Sequence, residues 1–311
     1  MKTARNIAMI TIFAVLVFLG SSNYVFKKAF IPEERAWPDL KTADKVQYEI
    51  LIDAYKIKHE NSEEVEIVAA DGVRLLGNYY ERKKDAPLVI FFHGLWSDGY
   101  LNGVPIYRIT KQHQWNLLLV TSRAHGESGG EFSTLGIWER YDCRDWANWA
   151  AKRFGTKTSI FLMGVSTGGA TVMMSSNLDL PYSVCGIIDD SGYTSPMEMI
   201  VQNSQERLPK FIPVGVFEFI VDEGTKLWGG FNLREMDACK ALAQTNIPLL
   251  IIHGDKDTLA PISMAYRIYD SCVSEKQLYI VPDADHAETY KANSIKYENI
   301  VTEFIEQHLQ K

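Results

Sequence analysis

Cysteine is scarce in this sequence, and its cysteines lie far apart. The 311 residues include 4 cysteines, and no two of them form a Cys-x-x-Cys pair. Because zinc sites and disulfide-rich scaffolds need closely spaced cysteines, neither is predicted, and no metal is expected. Isolated buried thiols are the favoured interpretation, with a single disulfide bridge as the alternative. The residues are Cys143, Cys185, Cys239 and Cys272.

Basic clusters and nucleotide-binding motifs are also absent from the sequence. The formal net charge is -7 and the sequence pI is about 5.6, whereas nucleic-acid binding depends on clustered Lys and Arg residues. No glycine-rich loop precedes a Lys-Ser or Lys-Thr pair, and there is no dinucleotide fingerprint. We therefore expect no nucleic-acid partner and no cofactor. Nothing in the sequence indicates the oligomeric state.

One long apolar run is present, and it lies near the N-terminus. Two basic residues precede the run from Ile7 to Leu19, which has the length of a secretory signal. If the helix continued through residue 26, its roughly 20 residues could span a bilayer. Because there is no clear Ala-x-Ala cleavage sequence, an uncleaved anchor is favoured over secretion after cleavage near residues 20–22. We expect residues 1–30 to anchor an extracytoplasmic catalytic domain.

A serine lies where a predicted strand meets a predicted helix. Residues 159–163 are typical of a strand, Gly164-Val165-Ser166-Thr167-Gly168 follows, and the next residues are the small ones of a helix start. This context is that of a nucleophile elbow, whose sharp turn lifts the serine hydroxyl clear of the sheet. Glycine permits the close backbone approach that the turn needs. Ser166 is therefore the candidate nucleophile, and an ordinary glycine-rich turn is the alternative.

Acidic residues and a histidine follow two later predicted strands. The apolar run from Ile247 to His253 is typical of a strand buried on both faces, and Asp255 and Asp257 come directly after it. The predicted strand at residues 277–281 is followed by His286. Open parallel sheets place their sites at the carboxyl ends of strands. The chain therefore carries a serine, an acid and a histidine in the order of a catalytic triad.

With these motifs, residues 63–310 resemble the α/β-hydrolase superfamily. The similarity is to its small serine-hydrolase branch, which groups serine-aminopeptidase-like and monoglyceride-lipase-like proteins. Phe92-His93-Gly94-Leu95 is similar to the family's oxyanion-side loop. The segment Arg123-Ala124-His125-Gly126-Glu127-Ser128 is similar to a supporting loop of the family, with Ala124 in place of the usual glycine. The resemblance implies a Ser-Asp-His hydrolase without a cofactor.

The resemblance also implies which acid belongs to the triad. In the family the second acidic residue of this loop is the triad member, which favours Asp257 over Asp255. Asp189 and Asp190 end another predicted strand and are the rival acids. Capping or loop hydrogen bonds are the favoured interpretation of that pair. The expected triad is Ser166, Asp257 and His286, in which Asp257 orients the imidazole and stabilises its cation.

Two backbone N–H groups are expected to form the oxyanion hole. One belongs to Thr167, the residue after the nucleophile, and the other to the loop after His93-Gly94. Leu95 is the first candidate in that loop and Trp96 a weaker one. Together with the triad, these donors predict a serine hydrolase that works through an acyl-enzyme intermediate.

The order of predicted elements indicates the fold class and the domains. Alternating buried strands and helices predict an α/β fold, a mostly parallel twisted sheet with helices on both faces. We expect a spacer helix within residues 31–61, a hydrolase domain at 62–311, and a short helical cap at about 194–240. A chain that begins near Phe30 is then expected to be soluble and as active on small esters as the full chain.

The predicted cap indicates the kind of substrate. Residues 194–240 are rich in Met, Phe, Ile and Leu, which fits a lid over an apolar acyl or aryl pocket and ordinary helical packing equally well. A carboxylic ester is the first choice of substrate. A peptide, a thioester or acyl transfer to another alcohol would use the same triad. A catalytically silent, membrane-tethered binding protein on this fold is the alternative from another class.

Overall fold

The computed structural model describes residues 2–33, 36–204 and 208–310. Residues 1 and 311, which bound the predicted anchor and hydrolase domain, lie outside the described residues, as do 34–35 of the predicted spacer and 205–207 of the predicted cap. The strands are β1 (Glu63–Val68), β2 (Arg74–Tyr80), β3 (Leu88–Phe92), β4 (Asn116–Thr121), β5 (Ile160–Val165), β6 (Val184–Asp190), β7 (Leu249–Gly254) and β8 (Lys276–Val281).

Helices lie before, between and after these strands. They are α1 (Lys2–Phe30), α2 (Lys45–His59), α3 (Val104–His113), α4 (Glu139–Phe154), α5 (Thr167–Ser175), α6 (Pro196–Ser204), α7 (Val214–Gly224), α8 (Ala238–Leu242), α9 (Ile262–Ser271), α10 (Thr289–Ala292) and α11 (Ser294–Gln307). A π-helical turn at Thr225–Gly229 continues α7.

The strands form one eight-stranded sheet in the order β1-β2-β4-β3-β5-β6-β7-β8. β2 pairs antiparallel with β1 and β4, and the pairs from β4 through β8 are parallel. Along β3, the side chains of Leu88, Ile90 and Phe92 enter one hydrophobic core and those of Val89 and Phe91 enter the other. Both faces of the sheet are therefore covered, and the predicted mostly parallel α/β fold is confirmed.

Helix α4 begins later than the sequence predicts. Residue patterns predict a helix over residues 134–154. The observed start is Glu139. Leu135 and Gly136 have φ angles of 55° and 101°, which no helix accommodates. The Glu139 carboxylate accepts hydrogen bonds from the backbone N–H groups of Thr134 and Gly136, both 2.8 Å away. Glu139, which lies inside the predicted helix, therefore stabilises the buried turn that precedes α4.

The N-terminal helix α1 has two differently packed parts. Residues 5–17 are exposed, whereas Ser22, Phe26 and Phe30 are buried against the rest of the protein. Its Arg5–Phe30 stretch is long and apolar enough to cross a membrane, with a mean hydropathy of 1.9. The carboxyl-terminal part of this helix is therefore also a packing element of the folded domain.

Candidate active site

Ser166 lies at a strained turn between β5 and α5. Its φ is 55° and its ψ is -115°, a backbone conformation that side chains rarely adopt and that costs of the order of 1–3 kcal/mol. A Cβ on Gly164 would come within 2.2 Å of the Gly168 backbone, and one on Gly168 within 2.0 Å of the Phe92 carbonyl oxygen. Glycine is therefore required on both sides of the serine, as the elbow motif predicts.

A continuous chain of hydrogen bonds joins the three residues of the predicted triad. Ser166 Oγ lies 2.7 Å from His286 Nε2, and His286 Nδ1 lies 2.8 Å from Asp257 Oδ2. The other carboxylate oxygen, Asp257 Oδ1, accepts backbone N–H groups from Leu259 at 3.0 Å and Ala260 at 2.7 Å. With the Asp257 side chain buried, this arrangement fixes the imidazole between an acceptor and a hydroxyl donor.

The other candidate acids have different surroundings. Asp255 accepts the backbone N–H of Asp283 and so connects two loops. Asp190 accepts hydroxyl donors from Thr289 and Tyr297, and burial raises its pKa. Asp189 is buried behind the elbow, and the loss of solvent raises its pKa well above the usual range. Of these four acids, Asp257 is the one in contact with the imidazole of His286.

Sequence reasoning missed His253, the penultimate residue of β7. Its side chain is fully buried, with Nε2 2.7 Å from the carbonyl oxygen of Ala260 and 3.4 Å from Asp257 Oδ2. His253 therefore braces the loop that holds the acid. The available signal was its position, a histidine four residues before Asp257 at the end of a buried strand.

The loop after β3 is held from both sides. His93 Nδ1–H donates to the Gly94 carbonyl oxygen at 2.8 Å, and its Nε2 accepts the backbone N–H of Ser122 at 3.1 Å. Burial, aided by the neighbouring His125, lowers the pKa of His93 to about 3, so the imidazole is neutral. The Nε2 of His125 bonds the Leu95 carbonyl oxygen. Leu95 is therefore fixed at the edge of the site.

The residues that carry the predicted oxyanion donors line the same cavity as the nucleophile. Leu95, Trp96 and Thr167 line it together with Ser166 and His286. Thr167 is the first residue of α5, so its N–H has no acceptor within the helix and lies at the positive end of the helix dipole.

The cavity has a volume of about 920 Å³ and is mainly apolar. Lys28 and Asp98 are its charged liners among the described residues, apart from the imidazole of His286. The Asp98 carboxylate accepts the indole N–H of Trp37 at 2.9 Å, so it already has a partner. The 194–240 segment supplies Met199, Ile200, Leu208, Ile212, Phe217 and Ile220.

Neither a metal cluster nor a disulfide is found in the part of the chain that the structure describes. No three His, Cys, Asp or Glu side chains there come together in a way that could hold a metal ion. All four cysteines are free thiols.

Fold and site together define a serine hydrolase of the α/β-hydrolase fold. Residues 132–311 match the prolyl oligopeptidase family, which is more than half of the chain, and the chain belongs to that family. The superfamily expected from the sequence motifs is thereby confirmed.

Relatives and solved structures agree with this assignment. Protein YqkD of Bacillus subtilis, described as uncharacterized, is 26% identical over 243 residues, or 77% of this chain and 78% of its own. The lysophosphatidylserine lipase ABHD12 of Danio rerio is 22% identical over 64% of this chain and 51% of its own. The Pyrococcus furiosus esterase Pf2001 is 21% identical with a TM-score of 0.67, covering 90% of this chain and 98% of its own. That structural likeness shows the fold.

Proposed function

We propose that the protein is a serine esterase that cleaves carboxylic esters with an apolar acyl or aryl group. The observation that carries the proposal is the hydrogen-bonded chain from Ser166 through His286 to Asp257, at the floor of a mainly apolar cavity. A neutral ester brings no charge into that cavity and needs no charged partner in its lining. The complete chain of contacts also argues against a catalytically silent binding protein.

In the proposed mechanism, Ser166 Oγ attacks the ester carbonyl while His286 Nε2 takes the hydroxyl proton. The negative oxygen of the tetrahedral intermediate is bound by the N–H groups of Leu95 and Thr167. When the intermediate collapses, the carbon–oxygen bond to the alcohol breaks and the alcohol leaves with the proton from His286. Water then attacks the acyl-enzyme with His286 as base, releasing the carboxylic acid and restoring Ser166. Asp257 stays ionised throughout and stabilises the imidazolium.

Family membership favours one second candidate, a peptidase that uses the same residues. A peptide substrate would bring an amide N–H, a C=O and often a charged terminus into the cavity, and these groups need polar partners. The two charged liners already have partners, since Asp98 accepts the Trp37 N–H and Lys28 pairs with Glu33 at 3.3 Å. The lining therefore supports the ester.

We also propose that residues 1–30 anchor the protein in a membrane with the catalytic domain on the extracytoplasmic side, and that residues 194–240 form a cap. The apolar helix α1 and the apolar lining from the 194–240 segment support these assignments. Cell fractionation with sequencing of the mature N-terminus tests the anchor. A soluble product that begins near Asn23 would replace it with a cleaved signal.

The full chain in mild detergent tests the activity. We expect labelling by a fluorophosphonate probe and turnover of p-nitrophenyl esters, and little turnover of aminoacyl- or prolyl-nitroanilides. Ser166→Ala should lose both labelling and turnover. Faster cleavage of the anilides than of the esters would establish the peptidase instead.

A further inference from the structure

The carboxyl-terminal part of α1 packs against the cap through one of its faces. The Phe18 ring lies 5.9 Å from that of Phe219, and the Trp228 indole N–H donates to Ser22 Oγ at 3.1 Å. Further along, the Phe30 ring lies 5.5 Å from that of Phe231, which is also in the 194–240 segment. These contacts recur at multiples of four residues and so lie on one face of the helix. That face packs against the rest of the protein.

The adjacent face of the same helix lines the cavity that contains the nucleophile. Ser21, Tyr24, Val25, Lys28 and Ala29 are cavity residues, together with Ser166 and His286. The cap contributes Ile212, Phe217 and Ile220 to the same lining. Both α1 and the cap therefore line the space that would hold an acyl chain.

The length of α1 places this part of the helix at membrane depth. Its fully exposed apolar stretch, Ile7 to Val17, has about 11 residues and a length of roughly 16 Å. A bilayer core is about 30 Å thick and needs about 20 residues. A spanning helix must therefore use residues up to about Phe26, which are the ones that pack on the cap and line the cavity.

The outer surface of the cap fits this position. Phe211, Val214, Val216, Phe219 and Leu227 are exposed apolar side chains, and Phe211 is 84% exposed. Such a patch is costly in water and marks an interaction surface. Because Phe219 touches Phe18 of α1, the patch is continuous with the apolar surface of the helix. A lipid leaflet around α1 would cover both.

We propose that the carboxyl-terminal part of α1 is a wall of the acyl-binding site, and that the substrate is a long-chain acyl ester resident in the membrane. Its acyl chain passes from the leaflet between α1 and the cap to Ser166. This inference rests on the proposed esterase activity and names the substrate class for that site.

Two substitutions on α1 test the wall. We compare the full-length Ala29→Trp variant, which fills the cavity face, with Leu16→Trp, which adds the same side chain on the exposed part of the helix. The readout is the ratio of kcat/KM for p-nitrophenyl dodecanoate to that for the acetate, measured in detergent. We expect Ala29→Trp to lower this ratio about tenfold and Leu16→Trp to leave it at the wild-type value.

A second variant, with a smaller side chain, covers the case in which Ala29→Trp does not fold. If Ala29→Trp loses fluorophosphonate labelling, Val25→Ala is used to test the proposal instead. It removes atoms from the same wall and so enlarges the cavity. A shift of its chain-length profile from that of the wild type supports the proposal. An unchanged profile in Val25→Ala, or in a correctly labelled Ala29→Trp, overturns it. If the wild-type protein cleaves no ester of any length, the esterase function itself fails, which is a distinguishable result.

The route from the membrane is tested on the cap. The full chain is reconstituted in phosphatidylcholine vesicles that contain a long-chain monoacylglycerol, and Phe211→Glu is compared with Tyr182→Glu, an equally exposed site away from the cap. We expect the first variant alone to hydrolyse the vesicle-borne ester about fivefold more slowly relative to a dispersed acetate ester. Equal ratios in both variants, or a wild-type dimer that Phe211→Glu dissociates, would overturn the lipid route.

Discussion

The floor and the roof of the active-site cavity are built on different physical principles. The floor, Ser166, Asp257 and His286, is held by hydrogen bonds of 2.7–2.8 Å between side chains at the ends of three strands. The roof, defined as residues 18–30 and 194–240, is held mainly by aromatic and aliphatic packing, with ring separations of 5.2–5.9 Å. Under the proposed function, the directional contacts carry the chemistry and the packed apolar residues select the substrate.

This difference sets the size of the effects expected in each region. A hydrogen-bonded triad works only when each atom is in place, so one lost atom costs orders of magnitude in rate. Apolar packing is graded, because stability and fit change with the area and volume that a substitution removes. Substitutions in the floor should therefore abolish turnover of a folded protein, whereas those in the roof should change stability or selectivity.

The largest effect is expected for Ser166→Ala. It removes the nucleophile and relieves no packing, so turnover should fall on the order of a million-fold while the thermal unfolding temperature stays near that of the wild type. The measurement is ester hydrolysis beside a melting curve. Ser271→Ala on α9 is the matched control and should remain fully active. Comparable activity in both variants would show that Ser166 is not the nucleophile. The distinction between floor and roof would then fail as well.

The next effect concerns the acid. Asp257→Asn should reduce kcat about 10⁴-fold, because an amide cannot stabilise the imidazolium and favours the wrong tautomer of His286. Asp255→Asn lies in the same loop and keeps an oxygen for the Asp283 N–H, so most activity should remain. Asp190→Asn should also keep most activity but lose stability, since Thr289 and Tyr297 donate to that carboxylate. A reversed ranking of Asp257 and Asp255 would mean that the loop holds the imidazole in another way.

The roof should respond through stability. Phe30 is 1% exposed and packs on Phe231, so Phe30→Ala should lower the free energy of unfolding by about 3–5 kcal/mol. Phe13→Ala, on the exposed part of the same helix, should have little effect in detergent. Urea unfolding of the two full-length variants makes the comparison, and equal stabilities would show that α1 is a detachable tether.

The same contacts revise one expectation from the sequence. A chain that begins near Phe30 was expected to match the full chain on small esters. The structure buries Ser22 and Phe26 and places Val25 and Ala29 in the cavity lining, and such a chain lacks all four residues. Removal of α1 would expose the aromatic cluster and open the cavity. We now expect such a chain to be less stable and less selective.

Sequence alone predicted most of the floor and little of the roof, for a physical reason. The elbow around Ser166 is a local motif, because Gly164 and Gly168 are required by backbone contacts within a few residues. Strand ends gave the positions of Asp257 and His286. Contacts such as Phe18 with Phe219 join segments about 200 residues apart, and a run of apolar residues does not specify its partner.

Polar residues with purely supporting contacts were also hard to predict. The sequence showed no partner for His253, although it lies beside Asp257, because its contacts depend on how the loop after β7 folds back. Glu139 was assigned to a helix interior, whereas its carboxylate organises the turn before α4. Such residues carry no motif and no periodicity, and the three-dimensional path of the chain determines their roles.

The smallest expected effect belongs to the support of the floor, and it depends on pH. Burial lowers the pKa of His93 to about 3, against 6.5 as the ordinary value. As the pH falls below about 6.5, the unfolded chain binds a proton that folded His93 cannot accept, because its Nε2 already accepts the Ser122 N–H. Neutral His93 therefore makes its full contribution to the free energy of unfolding at neutral pH. This contribution declines by up to about 1.4 kcal/mol per pH unit on acidification.

Urea unfolding at several pH values between about 7 and 4.5 measures this decline. In that interval His93 titrates in the unfolded state but not in the folded state. His93→Gln removes the titrating group and should flatten the curve relative to the wild type, even if its stability at neutral pH is lower. His59→Gln, at an exposed histidine, should keep the wild-type slope. If His93→Gln and the wild type decline in parallel, His93 has the same pKa in the folded and unfolded states, and burial does not keep its imidazole neutral.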